Sequence, residues 1–288
     1  MRRIAILAYT ARPAAITWAT HAINRLLEEG VDVIVDAILA DALDADLASK
    51  CEVRSAMEFE KRADMVMTFG GDGTLLATAR MLMSSDIPIM GVNVGKLGFL
   101  AEFPVTELDD AIMDVIKGNY RIVDRTTLMV EFNGVTAYAL NEVLIERASE
   151  AKMIAVRAFV NEHHVADYRA DGVIICTPTG STAYSLAAGG PIIAPSANAM
   201  CITPIAPHTL TLRPLIVNDS SEIRFEPLSE HADSHVVADG KILGSVGRGD
   251  VVTIRKSEHL VKLVKRADST YYDLLRDKLL WSADATKK

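Results

Sequence analysis

Over the first 120 positions, two hydrophobic rhythms alternate. Compact apolar runs at Arg3–Ala8, Val31–Val35, Met65–Phe69 and Ile87–Val92 have the length and β-branched content of buried strands. Between them, Pro13–Glu29 puts Ile16, Ala19, Ile23, Leu26 and Leu27 on one face and stops at Gly30, a suitable residue just past a helix end. Leu75–Met83 and Glu107–Lys117 also read as helices. This βα alternation predicts an α/β domain with a largely parallel sheet, whose ligands bind beyond the carboxyl ends of the strands.

The rhythm changes at Gly118–Asn119. Strand-like runs follow at Arg121–Phe132, Val135–Ile145, Met153–Val160, Gly172–Cys176, Met200–Ile205, Ser221–Phe225, His235–Ala238, Val251–Arg255 and Leu260–Lys265. Asn133–Gly134 is a strong hairpin-turn signal. Helical spacing returns in Thr270–Trp281, with Tyr271, Leu274, Leu275 and Leu279. The expected organisation is an α/β domain over 1–120, a β-rich domain over 121–266, and a C-terminal helix within 267–288 that packs back on the first domain.

Two glycine-punctuated segments interrupt these patterns where a strand ends and a helix opens: Gly70-Gly71-Asp72-Gly73-Thr74 and the stretch Thr177–Pro191, TPTGSTAYSLAAGGP. A helix N-terminus gathers unpaired N–H groups and the positive end of the helix dipole, and glycines let a phosphate reach the backbone. Gly70, Gly71, Gly73 and Thr74 therefore read as a phosphate cradle. Asp72 is its odd member, since a carboxylate repels phosphate unless a proton or a metal ion gives it work. It reads as a general base or metal partner, and Asp72 and Thr74 equally suit helix caps. Neither a GxxxxGK[ST] loop nor a GxGxxG turn after the first strand is present.

GGDGT resembles a motif shared by NAD kinases, by diacylglycerol and sphingosine kinases and, more loosely, by phosphofructokinases. TPTGSTAYSLAAGGP narrows the resemblance to NAD kinases. So do Asn141-Glu142 and the stretch Gly91–Leu100, GVNVGKLGFL, and the likeness continues weakly through Pro207–Leu210 and Arg213-Pro214 to Asp239-Gly240. It implies a two-domain fold, with a largely parallel Rossmann-like sheet in the α/β N-terminal domain and a β-rich, NAD-binding C-terminal domain. The two would enclose a crevice where ATP phosphorylates the 2′-hydroxyl of the adenosine ribose of NAD, giving NADP. Asp72 would be the base, and Gly70, Gly71, Gly73 and Thr74 would hold the ATP phosphates with a divalent cation, Mg²⁺ or Mn²⁺, carrying charge that amides cannot neutralise.

The resemblance extends the NAD site from Asp72 and Gly73 to residues of the second domain. Asn141 and Glu142 also suit a ribose on their own chemistry, a carboxylate accepting from two vicinal hydroxyls, although strand-end capping accounts for them too. Asp171 matches an acidic position that contacts the dinucleotide's carboxamide or ring. Arg169 matches one that influences the choice between NAD and NADH, and arginine there points to NAD. Thr182, Ala183, Tyr184, Ser185, Leu186 and Ala187 would line the nucleotide pocket, Tyr184 supplying an aromatic face, unless they form a simple helix cap around a buried tyrosine. Lys152 falls where a basic residue often lies near the acceptor phosphate, or is a solvated surface lysine. Lys241 departs from the Gln found in many members.

Composition excludes other classes. The 288 residues are 50% hydrophobic and carry a net charge of -8, which argues against a nucleic-acid partner. Residues 28–64 hold eleven acidic and four basic side chains, a difference of -7, so the remaining surface is near neutral. Cys51, Cys176 and Cys201 form no CxxC pair, which fits a reducing cytoplasm. The N-terminal apolar run reads as a strand rather than a signal peptide, and no run is long enough to span a membrane. His163, His164, His231 and His235 read as loop residues, and no metal site is assigned. A homo-oligomer, dimer or tetramer, is expected from the resemblance. The competing readings are a GGDGT lipid kinase, which needs a membrane-binding surface that the acidic composition does not offer, and a dinucleotide-binding regulator without turnover.

Overall fold

The structure is a computed structural model that describes residues 3–95, 98–149, 153–229 and 234–281. The described residues of Met1–Asp124 and Val261–Lys288 form one compact unit, and those of Arg125–Leu260 a second. Both unit boundaries fall inside strands, at Asp124 and Val261, where the sequence reading set them near 120 and 266.

The first unit runs β1 (Arg3–Ala8), α1 (Pro13–Glu28), β2 (Asp32–Val35), α2 (Ala37–Ala42), α3 (Ala45–Ser49), β3 (Glu52–Val53), β4 (Met65–Gly70), α4 (Asp72–Met81), β5 (Ile89–Asn93), β6 (Phe103–Pro104) and α5 (Leu108–Lys117). The pairings among β1 to β6 are all parallel. The order is β5–β4–β1–β2–β3, with β6 and the chain near Leu263 also beside β5. Every residue of β4 and β5 is buried, which is why these strands read as unbroken apolar runs instead of alternating ones. The face of α1 that carries Ala15, Ala19, Ala22, Ile23 and Leu26 joins Ile112 and Val115 of α5 in the core on one side of the sheet. Both α1 and α4 return the chain to a neighbouring parallel strand, so the ends of β1 and β4 and the start of α4 lie along one edge.

The second unit contains most of β7 (Tyr120–Phe132), then β8 (Val135–Ala139), β9 (Glu142–Arg147), β10 (Ile154–Val160), β11 (His163–Ala170), β12 (Gly172–Cys176), α6 (Tyr184–Ala187), β13 (Ala199–Ile205), β14 (Leu215–Asn218), β15 (Ile223–Pro227), β16 (Ser234–Ala238), β17 (Lys241–Val246) and the first part of β18 (Val252–Arg266). One antiparallel sheet runs β14–β13–β12–β9–β16–β17. A second joins β11, β10, β15 and β18, with β7 and β8 beside it. Their inner faces share one apolar core, to which β12 contributes Val173 and Ile175. Its alternate residues Ile174 and Cys176 are buried under the segment around Ile193 on the other face. Burial on both faces again removes the alternation expected of an antiparallel strand. The last described element is α7 (Tyr271–Leu279), part of the first unit, which buries Leu274 and Leu275.

Several expected elements are redrawn. Val135–Ile145 is not one strand: the chain changes sheet at Leu140–Asn141. Val251–Arg255 and Leu260–Lys265 are parts of the single strand β18, whose polar middle stays extended. His163 and His164 lie in β11 and His235 in β16, not in loops; His231 falls outside the described residues. The β10–β11 hairpin turns at Asn161 and Glu162, with φ of 49° and 68°. Without a glycine there, the sequence carried no turn signal. At Asn133–Gly134 the signal was present, and the backbone takes φ of 46° and 77°.

Candidate functional site

Each unit carries candidate site residues of its own. In the first, β4 ends at Gly70, Gly71 takes an extended conformation at the helix cap, and α4 starts at Asp72, three residues earlier than the apolar spacing indicates. The loop's glycines divide into two kinds. A Cβ on Gly70 would stand 2.1 Å from the Thr74 hydroxyl, so that glycine is required by packing. Around Gly71 and Gly73 an added Cβ would meet nothing within 4 Å, and neither has a positive φ. Neither packing nor backbone conformation demands glycine at those two positions, and the space beside them is open.

The Asp72 carboxylate is engaged as an acceptor. Its Oδ2 accepts from the amide of Phe99 (2.8 Å), and its Oδ1 from those of Leu100 (3.2 Å) and Ala101 (3.0 Å). A Cβ on Gly98 would stand 1.8 Å from Oδ1, so the loop can approach this closely only with glycine there. Asn93 secures the same region through Gly95 N–H to Asn93 Oδ1 at 2.7 Å, and the buried Lys265 ammonium donates to Glu102 and to the Leu100 carbonyl. The GxNxGxLGFL resemblance therefore marks a segment built onto Asp72.

A cavity of about 540 Å³ opens beside the loop, at the carboxyl ends of β1 and β4, lined by Gly70, Gly71, Gly73 and Thr74 together with Tyr9, Arg12, Asp36, Ala77 and Met81. Tyr9, Arg12 and Asp36 were not singled out from the sequence. The signal that could have found them is topological: each lies just past the carboxyl end of β1 or β2, where such sheets bind ligands.

In the second unit, the backbone N–H groups of Leu140, Asn141 and Glu142 all donate to the Asp239 carboxylate, at 2.7, 2.9 and 3.1 Å. This is why the strand breaks where it does. Three successive amides leave the sheet ladder for one side chain, which is presented by a tight β16–β17 turn with φ of 43° at Asp239 and 78° at Gly240. Sequence reasoning placed Asp239 in the motif without a role, although an Asp-Gly pair between apolar runs is a legible hairpin turn.

Glu142 is mostly buried and its Oε2 has no hydrogen-bond partner among the described residues. Burial, reinforced by the Asp239 charge, pushes its carboxyl up from 4.5 to about 8. It lines a cavity of about 300 Å³ with Glu146, Tyr184, Asp239 and Ile242. Tyr184 is 45% exposed, so it is not the buried tyrosine of a simple cap.

The hydroxyls in the rest of the TPTGSTAYSLA stretch are largely engaged within the protein. Thr177 Oγ1 donates to the Leu140 carbonyl (2.7 Å), Thr182 Oγ1 to the Thr179 carbonyl (3.2 Å), and the buried Ser185 hydroxyl pairs with Thr203 at 2.9 Å. Leu186 is half-buried, and Ala187 is exposed at the end of α6. Gly180 allows the stretch to dock, because a Cβ there would stand 2.0 Å from the Asn141 carbonyl oxygen. Gly180→Ala is expected to destabilise the protein by about 3 kcal/mol, read as a fall of several degrees in the thermal midpoint. An unchanged midpoint would show that the loop docks less tightly than this contact requires.

The register of β9 against β12 sets Glu142 opposite Cys176 and Glu146 opposite Gly172. Asp171, just before β12, is therefore at the far end of that strand from Glu142, where it pairs with Arg147 at 3.4 Å. Arg169 is exposed in β11. Lys241 is exposed at the start of β17, opposite Ala238, and does not line the Glu142 cavity. Lys152 lies outside the described residues. Among the described residues no group of three or more His, Cys, Asp or Glu side chains is disposed to hold a metal ion, and no helix is long and apolar enough to cross a membrane.

The family model described as the ATP-NAD kinase N-terminal domain matches residues 4–120, and that of the ATP-NAD kinase C-terminal domain matches residues 140–266. The NAD kinase of Syntrophotalea carbinolica is 38% identical over 286 residues, covering 98% of this chain and 99% of that protein. The NAD kinase of Geotalea daltonii is 36% identical, with the same coverage. Among solved structures, yeast NADH kinase complexed with NADH superposes with a TM-score of 0.91 over 100% of this chain and 90% of that one. Its 24% sequence identity makes this a likeness of fold. An NAD kinase from Archaeoglobus fulgidus in complex with ATP matches with a TM-score of 0.76 and 26% identity, over 96% of this chain and 98% of that one.

Proposed function

Because the chain belongs to the ATP-NAD kinase family, we propose that it transfers the terminal phosphoryl group of ATP to the 2′-hydroxyl of the adenosine ribose of NAD, giving NADP. The observation that carries this reading is the pair Gly71 and Gly73, glycines that neither packing nor backbone conformation requires, at a helix start beside an open cavity. Missing side chains there are best accounted for by a ligand that lies against the backbone. The Thr74 amide donates to the Gly71 carbonyl at 3.0 Å, so the amides left at the start of α4 to suit an anion are those of Asp72 and Gly73.

A ribose hydroxyl is a weak nucleophile, so the site must position it and take its proton. Asp72 is the group we assign to the proton. Oδ1 is committed to two amides and Oδ2 to one, which leaves Oδ2 a lone pair. The amides also fix the carboxylate's orientation before substrate arrives. A divalent cation fits this chemistry if it is held mainly through the nucleotide's phosphates and water, as Mg²⁺ commonly is, because no carboxylate cage is present among the described residues. Bound with ATP, it supplies charge neutralisation on the phosphates.

On the acceptor side, Asn141, Glu142 and Tyr184 suit the adenosine half of NAD. Asp171 stands five residues from Cys176 along one strand, a reach of about 17 Å, and suits the opposite end of an extended dinucleotide, with Arg169 nearby. Roles for Lys152 and Lys241 rest on the resemblance alone.

The test is NADP formation from NAD, ATP and Mg²⁺ by the purified protein, with diacylglycerol as a parallel acceptor. Binding of NAD without turnover would favour a regulator. Gly73→Ala gives a sharper check. In the first turn of α4 it should leave stability unchanged or raise it by about 0.5 kcal/mol, yet lower kcat/KM for ATP at least about tenfold. Full activity in that variant would remove the loop's open face from the reaction.

A further inference from the structure

Lys265, next to last in β18, is a lysine with only 3% of its surface exposed. Its ammonium reaches the segment that Asp72 gathers. Two residues earlier, Leu263 stands beside Ile89 of β5 in parallel register. The segment lies against the same strand, where a Cβ on Gly91 would stand 2.8 Å from the Ala101 Cα. From β18 the Lys265 ammonium donates to the Leu100 carbonyl at 3.3 Å and pairs with the Glu102 carboxylate. All of these residues belong to the first unit.

The Leu100 carbonyl shares its peptide group with the Ala101 N–H, and that N–H donates to Asp72 Oδ1 at 3.0 Å. In a trans peptide the two groups point in opposite directions, so the ammonium and the Asp72 carboxylate stand at the two ends of one dipole of about 3.5 D. A cation on the oxygen polarises the group and strengthens the bond that its N–H makes to the carboxylate. The other amide on Oδ1 is that of Leu100 itself, so it moves with the carbonyl that Lys265 holds. One ammonium therefore governs both bonds to Oδ1, and Oδ2 is left with the Phe99 amide and a lone pair. The side chains of Lys265 and Glu102 are 4% and 13% exposed. An ion pair so far from water is weak support for stability, because desolvating two charges offsets most of their attraction. A cation kept there is better accounted for by its hold on the Asp72 segment.

We propose that Lys265 is a positioning residue for phosphoryl transfer, acting through the Leu100–Ala101 peptide to fix the Asp72 carboxylate in the orientation from which Oδ2 takes the proton. The assignment rests on the role given to Asp72 above. Glu102 holds the ammonium over the carbonyl.

The experiment compares the wild type with Lys265→Met, with Lys265→Met combined with Glu102→Gln, and with Lys278→Met. Methionine keeps an unbranched stem without the charge. Lys278, whose ammonium stands 5.8 Å over the Phe99 ring, is a cation beside the same segment and controls for loss of charge alone. Lys265→Met should lower the thermal midpoint, because Glu102 is left mostly buried without its partner. It should also lower kcat about tenfold or more, with KM for NAD and for ATP within twofold. The combined variant should regain the midpoint, since a neutral amide at position 102 borders a cavity of about 350 Å³ where water can reach it, but it should not regain kcat. With no substrate present, hydrogen exchange at the Leu100 and Ala101 amides, read by mass spectrometry, should be about tenfold faster in the combined variant than in the wild type. Recovery of kcat together with the midpoint, unchanged exchange, or an equal loss of kcat in Lys278→Met overturns the assignment. Because exchange needs no turnover, a protein that makes no NADP would fail the kinase reading while the exchange rates still decide whether Lys265 anchors these amides.

Discussion

Asp72→Asn is expected to lower kcat by about two to four orders of magnitude, the range associated with loss of a general base, while KM for NAD and for ATP stays within about threefold. The substitution also tests a structural role. Asp72 collects the amides of Phe99, Leu100 and Ala101, and asparagine offers one acceptor oxygen where the carboxylate offers two. One amide then faces an NH₂ group, at a cost of about 1–3 kcal/mol, visible as a lower thermal midpoint with the protein still folded at 25 °C. Steady-state kinetics below the new midpoint separate the two roles. A fall in kcat alone supports the base, whereas a rise in both KM values with kcat preserved would reduce Asp72 to an anchor of the loop. Gly98→Ala is the companion variant. Its Cβ would stand 1.8 Å from Oδ1 and displace the carboxylate without changing its chemistry, so it should lose kcat by a comparable factor if position governs proton transfer.

How much of this was legible depended on whether the information was local. Strand β1 was readable to its ends and helix α1 to within one residue, because each is a single apolar pattern with a local stop. The start of α4 was not, because its first turn, Asp72-Gly73-Thr74, is polar and its caps lie outside the apolar stripe. Helices α2 and α3, in the acidic stretch, are too short to show a period, although Asp36 and Asp44 both cap them through side-chain oxygens. The break between β8 and β9 was invisible because it is made by Asp239, almost a hundred residues away.

The same distinction runs through the site. Residue type and motif singled out Asp72, Glu142 and Tyr184. They did not reveal that Asp72 and Asp239 use one device, a carboxylate gathering three consecutive amides, to hold the two segments that carry the resemblance. Nor did they separate the hydroxyl of Ser185, consumed by Thr203, from the exposed ring of Tyr184. Arg12, Tyr9 and Asp36 are ordinary loop residues in sequence, and only the order of parallel strands gathers them at one cavity.

Glu142→Gln is expected to stabilise the ligand-free protein at alkaline pH while weakening NAD binding. The sign follows from the carboxyl's rise from 4.5 to about 8. Below pH 4.5 the group is protonated in the folded and unfolded chains alike, and it adds no pH dependence. Between 4.5 and 8 the folded state keeps a proton that the unfolded state releases, so rising pH favours unfolding, and above 8 the full penalty stands. Burial beside the Asp239 charge, with Oε2 unpartnered, is the physical cause. The shift corresponds to roughly 3–5 kcal/mol, large against the stability of an ordinary domain. A neutral amide avoids that cost. The gain in thermal midpoint should therefore be greatest near pH 9 and vanish toward pH 5. If the gain were the same at both pH values, Glu142 would not be holding a proton in the free protein. The opposite effect on NAD follows from the same atom, since an amide oxygen cannot accept two vicinal hydroxyls as a carboxylate does. The loss should be about tenfold or more in affinity. A carboxylate kept unpartnered at a cost to the free fold is accounted for by hydroxyls that reach it only in the complex, and calorimetry at pH 6 and pH 9 should find NAD binding releasing a proton at the lower value and none at the higher.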